Sequence, residues 1–198
     1  MAAATGSDSI SRHYRFLILR EQADELTAFY GDFAGRVTPL DADRLTNALQ
    51  NCVSVFEGAQ GILLDEDFGF APYNSWTRTT SANARGILDA AGVPHRTIGV
   101  IRTYLTRHGP GPFVSECSMD VTDRFNVRNR WQGSLRMGLF DAVAVGYSLK
   151  CDGGIDEVAL THVDQVGETV KYVSRYRGLE ELTAPCPASK LSGVEPVI

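Results

Sequence analysis

Residues 55–65 read VFEGAQGILLD and carry the clearest structural signal in this chain of 198 residues. A short apolar run ends at Glu57, a loop of small residues follows, and a second apolar run closes at Asp65. Glycine-rich loops let the backbone approach a ligand closely, and open α/β sheets bind ligands beyond the carboxyl ends of their strands. The segment therefore predicts a strand over residues 53–56 that leads into a ligand-binding loop.

Helix and strand patterns alternate along the rest of the chain. The spacing of apolar residues predicts helices over 16–33, 43–52, 80–91 and 140–149, and strands over 97–105, 157–161 and 169–176. Residues 108–112 are expected to form a loop, because two prolines and two glycines break regular structure, and the chain beyond 182 looks irregular. This order is typical of an α/β fold with a mostly parallel sheet flanked by helices.

We expect one structural domain made of two parts, a helical N-terminal segment over residues 1–52 and an α/β domain over residues 53–198. The formal net charge of -5 argues against a nucleic-acid partner, which usually needs a basic face. The four cysteines form no C-x-x-C pair, which is typical of reduced thiols. No secretory signal or membrane-spanning run is readable, so a cytoplasmic chain without membrane contact is expected.

Gln60 is the first candidate for a ligand contact. Its carboxamide offers both a donor and an acceptor, which suits the edge of a purine base. The alternative is a tight turn with a surface glutamine. The loop around it is not a Walker-type phosphate loop, because no Gly-Lys-Ser/Thr sequence occurs in the chain.

A hydroxyl-rich segment containing Ser75, Thr77, Thr79 and Thr80 leads into the helix predicted at residue 80. Hydroxyls and free N–H groups at a helix start suit a phosphate, whereas simple N-capping by Thr79 or Thr80 is the alternative. The acidic residues 65–67 could bind a metal or transfer protons. A helix start or solvated turn explains these carboxylates better, and no metal site is readable in the sequence.

Two further segments place polar side chains where strands or loops begin and end. Arg107 stands at the entrance of the Gly-Pro-rich loop, where a rigid backbone could present it to a ligand. Asp164 follows a predicted strand, so its carboxylate could accept hydrogen bonds from guanine while His162 stacks on the ring. Each segment also fits an ordinary structural turn.

Taken together and in order, these blocks resemble the adenylosuccinate synthetases, which join aspartate to inosine monophosphate (IMP) at the expense of GTP. Residues 56–69, 71–80 and 99–116 resemble the family patterns EGAQG-x-LLD-x-D-x-G, YPYVTSSNTT and GVxKAYxTRVGxGPFPTE. Residues 138–141, 160–164 and 193–196 resemble GWFD, LTKxD and GVEP. The resemblance covers the chain from about Val53 onward.

The resemblance implies a P-loop-NTPase-like synthetase fold, a role in purine nucleotide biosynthesis, and the cofactors GTP and Mg²⁺. Gln60 matches the glutamine that contacts the base and stabilises the 6-oxyanion. Substrate-binding roles are implied for Gln60, Ser75, Thr79, Thr80, Arg107, Gly133 and Arg136. GTP-binding roles are implied for His162, at the position of a lysine, and Asp164, at the guanine-reading aspartate.

The sequence also departs from the family pattern. The GDEGKGK phosphate loop, the aspartate that acts as base and the histidine that acts as acid have no counterpart here. Of the arginines that precede GWFD only Arg136 remains, with Gly133 and Leu135 at the other positions. Arg128 or Arg130 could compensate in binding the dicarboxylate of aspartate.

Three functions remain open at this point. The chain could be part of a split ligase acting on IMP or a purine-like nucleotide, with the phosphate loop on a partner chain. It could be a catalytically inactive purine-nucleotide-binding or regulatory domain. It could also be an enzyme that reused the scaffold for another ligand, as the unusual Trp76 and Trp131 indicate.

The resemblance implies a homodimer. Alternatively, the N-terminal helices cover the surface that the missing half of the family fold would bury.

Overall fold

The structure is a computed structural model that describes residues 20–121, 126, 128–131, 133–165, 167 and 171–198, and the side chains from residue 23 onward. It divides into two compact units, residues 1–48 and 49–198. The division expected after residue 52, between a helical N-terminal segment and an α/β domain, stays a prediction.

Each described helix overlaps a predicted one. The helices are α1 (Arg20–Arg36), α2 (Ala42–Asn51), α3 (Ala82–Ala90) and α4 (Ala142–Asp152). Residues 16–19 of the first predicted helix lie outside the described residues. Asp41 caps α2 by accepting the Arg44 N–H at 2.8 Å. Asp141 caps α4 by accepting the N–H groups of Val143 and Ala144, which moves the helix start two residues past its predicted position.

The described residues form seven strands in three small sheets. The strands are β1 (Ile98–Arg102), β2 (Tyr104–His108), β3 (Leu135–Asp141), β4 (Glu157–Thr161), β5 (Tyr172–Val173), β6 (Arg175–Arg177) and β7 (Glu195–Val197). β1 pairs with β4 in parallel, β3 pairs in parallel with β5 and antiparallel with β2, and β6 pairs antiparallel with β7. Parallel pairing together with packed helices confirms the predicted α/β class.

Several strand predictions differ from the structure. Residues 53–56 form no strand, and Val53 and Val55 are 98% and 89% exposed, because no neighbouring strand pairs with them among the described residues. The strand predicted over 97–105 breaks at Thr103, whose hydroxyl donates to the His162 carbonyl at 2.8 Å. The chain then enters a second sheet as β2.

Two strands of the structure were not predicted. One further predicted strand lies only partly within the described residues. β3 escaped prediction because arginine and glycine interrupt its apolar pattern, and β7 lies in a segment expected to be irregular. Residues 169 and 170 of the strand predicted over 169–176 lie outside the described residues. The rest divides into β5 and β6 at Ser174, whose N–H donates to the Val197 carbonyl at 2.9 Å.

The main core joins α4 to the loops on either side of it. Its buried residues are Phe70, Tyr147, Leu182, Cys186 and Leu191. The Tyr147 ring packs on Phe70 with 6.2 Å between centroids, and its hydroxyl donates to the Phe68 carbonyl at 2.6 Å. A smaller cluster joins Leu49 of α2 to Leu88 and Ala91. Burial on α4 thereby fixes the segment around Phe70, from which the candidate site extends.

Replacing Gly138 by alanine tests how closely β3 approaches the chain beside it. A Cβ at Gly138 would lie 2.5 Å from the Ser115 carbonyl oxygen, a backbone atom that cannot turn aside. We expect Gly138→Ala to lower the free energy of unfolding by about 1–3 kcal/mol, as overpacking does. Urea denaturation measures the change.

Gly146→Ala in α4 is the matched control, because its Cβ would meet nothing within 4 Å. This variant should be unchanged or more stable by up to about 1 kcal/mol, since alanine favours a helix over glycine. Equal stability of the two variants would contradict the close approach of β3.

Candidate functional site

The Gln60 carboxamide is held in one orientation by two hydroxyl groups. Its Oε1 accepts hydrogen bonds from Thr77 Oγ1 at 3.0 Å and from Ser75 Oγ at 3.4 Å, and these hydroxyls lie 2.9 Å apart. The Gln60 backbone adopts φ +67°, a left-handed conformation that is uncommon for residues other than glycine. No group among the described residues accepts from its Nε2, so the amide can donate to a ligand.

Asp65 ties the two sides of this loop together. Its carboxylate is 1% exposed and accepts N–H bonds from Thr79 at 2.6 Å, Asp67 at 2.9 Å and Phe68 at 3.2 Å. Burial would raise the pKa of this carboxyl, but the backbone N–H groups of Thr79, Asp67, Phe68 and Thr80 lower it below the ordinary value. Asp65 is thus no solvated turn residue, and sequence reasoning missed its role.

The hydroxyl-rich segment does not cap α3. The cap position belongs to Ser81, whose N–H and hydroxyl both reach the Asp152 carboxylate, at 2.7 and 2.6 Å. The Thr79 hydroxyl instead donates to the Gly61 carbonyl at 2.9 Å. Capping by Thr79 or Thr80 is therefore wrong. Thr79 joins Gln60 and Ser75 around one loop, while their contact with a substrate stays a prediction.

Arg107 and Arg136 face each other across β2 and β3 and hold the loop between residues 109 and 112. Arg107 donates through Nε and Nη2 to the Pro110 carbonyl at 3.1 and 2.9 Å. Arg136 donates through Nη1 to the carbonyls of Gly109 and Gly111 at 3.0 and 2.9 Å. We call these two residues the arginine clamp, because together they fix the loop by its carbonyl groups.

The two guanidinium groups of the arginine clamp lie in different electrostatic surroundings. Arg136 donates through Nε and Nη2 to both oxygens of Glu116, at 2.9 and 2.5 Å, and these hydrogen bonds raise the pKa of Arg136. Burial and the nearby charge of Arg136 lower the pKa of Arg107. Glu116 thus partly neutralises the pair. Binding of substrate by Arg107 and Arg136 stays a prediction, since both guanidinium groups already hold the protein's own chain.

Tyr73 connects the clamp to the Gln60 loop. Arg107 Nη2 donates to the Tyr73 carbonyl at 2.8 Å. Gly111 has φ +115°, and a Cβ there would lie 2.7 Å from the Tyr73 Cβ, so only glycine permits this approach. Two residues on, Ser75 donates its N–H to the Leu64 carbonyl at 2.8 Å. Gln60, Ser75, Thr79 and the clamp therefore belong to one connected region.

His162 and Asp164 lie elsewhere, just beyond β4. The His162 ring stands edge-on to Tyr104 with 5.6 Å between centroids. The exposed Asp164 accepts a hydrogen bond from Gln165 Nε2 at 2.8 Å. Within the described parts of the chain, no hydrogen bond links either residue to Gln60 or to the clamp. Their assignment to guanine binding stays a prediction.

Gly133 closes a hairpin. Its N–H donates to the Asn129 carbonyl at 2.9 Å, its own carbonyl accepts the Asn129 N–H at 3.1 Å, and its φ is +73°. Trp131 at the tip is 81% exposed, with the Arg130 guanidinium 4.2 Å from the centre of its ring. Gly133 thus offers a ligand only backbone groups, and its assignment to substrate binding stays a prediction.

Among the described residues, no three His, Cys, Asp or Glu side chains converge as a metal would require. The described residues therefore do not bring together enough protein ligands to hold a magnesium ion by themselves. In the same part of the chain, no helix is both long and apolar enough to cross a bilayer.

Sequence reasoning also missed Tyr73 and Glu116. Tyr73 acts through its backbone carbonyl, which carries no sequence signal. Glu116 could have been found only by pairing β2 with β3, since that pairing sets Arg136 beside the loop. Thr77 was recognised as part of the hydroxyl segment but not as a partner of Gln60.

The fold and these loops define an α/β protein in which the Gln60 loop, Tyr73 and the arginine clamp form one connected region. The family model described as adenylosuccinate synthetase matches residues 4–198, and the chain belongs to that family. The match begins well before Val53, where the sequence motifs alone placed it.

Curated relatives described as adenylosuccinate synthetase agree with this assignment. The protein of Thermoplasma volcanium is 34% identical over 167 residues, 78% of this chain and 38% of the relative. That of Desulforamulus reducens is 33% identical over 88% of this chain and 44% of the relative. That of Thermomicrobium roseum is 32% identical over 97% of this chain and 51% of the relative. The chain spans about half or less of the length of these relatives.

A solved structure shows the same fold. It is the fully ligated adenylosuccinate synthetase of Plasmodium falciparum, which matches with a TM-score of 0.68 and 26% sequence identity. The match covers 96% of this chain and 49% of that one. The architecture is therefore that of about half of a synthetase.

Asp65→Asn tests the carboxylate that closes the loop. We expect the free energy of unfolding at pH 7 to fall by about 1–3 kcal/mol, because a charged acceptor of several N–H groups is lost. The lowered pKa of Asp65 means that its stabilisation is present above the unfolded pKa and is lost as pH falls through the folded value. The difference between wild type and variant should therefore shrink below about pH 4.

Urea denaturation at pH 7 and pH 3 measures this difference, with Asp67→Asn as control. The Asp67 side chain is exposed and contributes only its backbone N–H to the loop, so this variant should change stability by less than about 0.5 kcal/mol. A pH-independent effect of Asp65→Asn would show that its charge is not what stabilises the loop.

Proposed function

We propose that the chain forms the base-binding part of an adenylosuccinate-synthetase-type C–N ligase. Such an enzyme would join aspartate, or a related amine, to the 6-position of IMP or a purine-like nucleotide and would consume GTP. The observation that carries the proposal is the Gln60 carboxamide, oriented by Ser75 and Thr77 with its amide directed away from them. Membership of the family supports the reaction class.

The chemistry of Gln60 suits this role. A fixed N–H donor near the 6-oxygen of a purine stabilises negative charge that develops there during the reaction. Because the hydroxyl groups already occupy Oε1, the amide need not reorganise when the charge appears. Gln60 would thus act as an oxyanion contact, which needs neither an acid nor a base in this chain.

Phosphoryl transfer from GTP requires groups that the described residues do not assemble. It needs a metal ion, a lysine and backbone donors around the phosphates. In the proposed enzyme a partner chain supplies the phosphate loop, the catalytic acid and base, and the Mg²⁺ site. The present chain contributes the base-binding wall and, through His162 and Asp164, a guanine contact.

The residues expected to bind aspartate differ from the family pattern. A dicarboxylate is best bound by arginines in bidentate geometry. Arg136 already makes such a pair with Glu116, so an incoming carboxylate would have to displace Glu116 or use Arg128 and Arg130. For this reason the proposal includes an amine related to aspartate as a possible second substrate.

A catalytically inactive purine-nucleotide-binding or regulatory domain is the second candidate. The intact Gln60 region favours it equally, because binding of a base needs no phosphate loop. The two candidate functions are distinguished by whether GTP is turned over. A ligase should turn over GTP with IMP and aspartate once a partner carrying the phosphate loop is added, whereas a regulatory domain should bind nucleotide without turnover in any mixture.

Gln60→Ala should weaken binding of IMP by about 1–3 kcal/mol, the loss of a hydrogen bond to a buried polar group. Titration calorimetry measures the affinity, after a thermal-shift screen with IMP, GMP, GTP, ATP and aspartate has shown which ligands raise the melting temperature. Gln60→Glu is a second variant, because it keeps an acceptor for Thr77 but replaces the amide donor with a negatively charged carboxylate. Both variants should bind weakly, and unchanged affinity in Gln60→Ala would remove the assignment.

Asp164→Asn should reduce the preference for GTP over ATP, because an amide cannot accept both hydrogen bonds from guanine N1–H and N2–H₂. Competition between GTP and ATP in the thermal-shift assay gives the preference directly. Gln165→Ala is the control, since it removes the hydrogen bond to Asp164 but keeps the carboxylate. If the wild-type chain does not bind GTP, alone or with its partner, Asp164 has no guanine-reading role.

A further inference from the structure

β1 and β4 form a two-stranded parallel sheet in which neither strand has a second neighbour among the described residues. Parallel sheets are almost always covered on both faces, and their strands are apolar on both. Residues 98–101 read IGVI and residues 158–160 read VAL, so apolar side chains occupy consecutive positions. Such strands normally lie inside a larger α/β fold.

The pairing register distributes these side chains over both faces. Ile98 and Val100 lie on one face, and Val158 and Leu160 lie on the other, because Ile98 pairs with Glu157 and Gly99 with Val158. Val100 is 72% exposed, and the other three are at least half exposed. Both faces of the sheet therefore present apolar side chains to solvent.

Residues 53–56 also expose apolar side chains to solvent. They read VSVF, lead directly into the Gln60 loop and contain the two most exposed valines of the described chain. Their composition is that of a strand, yet they form none. We call β1, β4 and residues 53–56 together the open strand segments.

The size of the family fold indicates what covers these segments. The solved Plasmodium falciparum synthetase shares the fold over 96% of this chain, but the chain accounts for only 49% of that structure. About half of that structure therefore has no counterpart among these residues. A parallel strand needs a neighbouring strand and a covering layer, and both are what the remaining half of an α/β fold provides.

We propose that the open strand segments dock a polypeptide that carries the remaining half of the adenylosuccinate synthetase fold. This partner adds strands beside β1 and β4 and buries both faces of the sheet. Recognition is by strand pairing and apolar packing, as in other cases of strand addition, rather than by charge. The inference rests on the proposed function and identifies where its partner chain binds.

Co-expression tests the docking. The tagged chain is produced with the part of the Thermomicrobium roseum synthetase that lies outside the matched region, and the purified complex is measured by size-exclusion chromatography. Val53→Lys and Val100→Lys should each reduce the recovered complex by at least about tenfold, because docking would bury an unpaired charge. Ile198→Lys is the control, since Ile198 is equally apolar and 67% exposed but lies outside the open strand segments.

Three outcomes of the chromatography would overturn the docking. They are a wild-type chain that recovers no partner, lysine variants that recover it undiminished, and a homodimer of the chain alone that the same variants disrupt. The last result would make a second copy the occupant. A lower melting temperature of either variant without partner would also overturn it, because the chain would then cover these residues itself.

Binding of IMP to the isolated chain separates the two proposals. The side chains of Val53 and Val100 are 98% and 72% exposed, so both variants should bind IMP as the wild type does. Docking that fails while IMP still binds overturns only the docking surface. Docking that succeeds while no nucleotide binds overturns only the proposed function.

Discussion

The buried carboxylate of Asp65 is the constraint on which the candidate site depends. It accepts the Thr79 N–H and closes the turn at Asp67 and Phe68, while the Thr79 hydroxyl reaches across to Gly61. Together these bonds close the loop that carries Gln60, so a ligand need not order the loop before it binds. A charge that solvent cannot reach thus determines the geometry of a side chain that is itself exposed.

The arginine clamp holds the protein's own chain with two side chains whose contact with substrate stays a prediction. Arg107 and Arg136 stand where the motifs imply contact with substrate, yet their guanidinium groups hold carbonyls of the Gly109–Pro112 loop. Planar guanidinium groups with several donors suit this task, because one side chain can satisfy two carbonyls and a carboxylate. These hydrogen bonds hold the loop, and the bond from Arg107 to the Tyr73 carbonyl joins it to the segment beside Gln60.

The sequence predicted what depends on local pattern and missed what depends on pairing. The helices were predicted because apolar spacing and caps such as Asp41 act within one turn. The strand at 157–161 was also correct, but the strand expected at 53–56 lacks a partner to pair with. Gln60 is an exposed residue of the predicted glycine-rich loop, and its contact with a ligand stays a prediction. Its hydroxyl partners and the clamp arise from contacts distant in sequence, which one sequence without a structure does not reveal.

The exposed parallel strands also bear on how the chain behaves at high concentration. Unpaired strand edges with apolar faces are templates for other strands, and charged or proline residues that would block such pairing are few in IGVIR and EVALT. A chain left without cover would therefore pair with copies of itself, and aggregation would compete with every other association. Balanced synthesis of whatever covers β1 and β4 then becomes a condition for keeping this protein in solution.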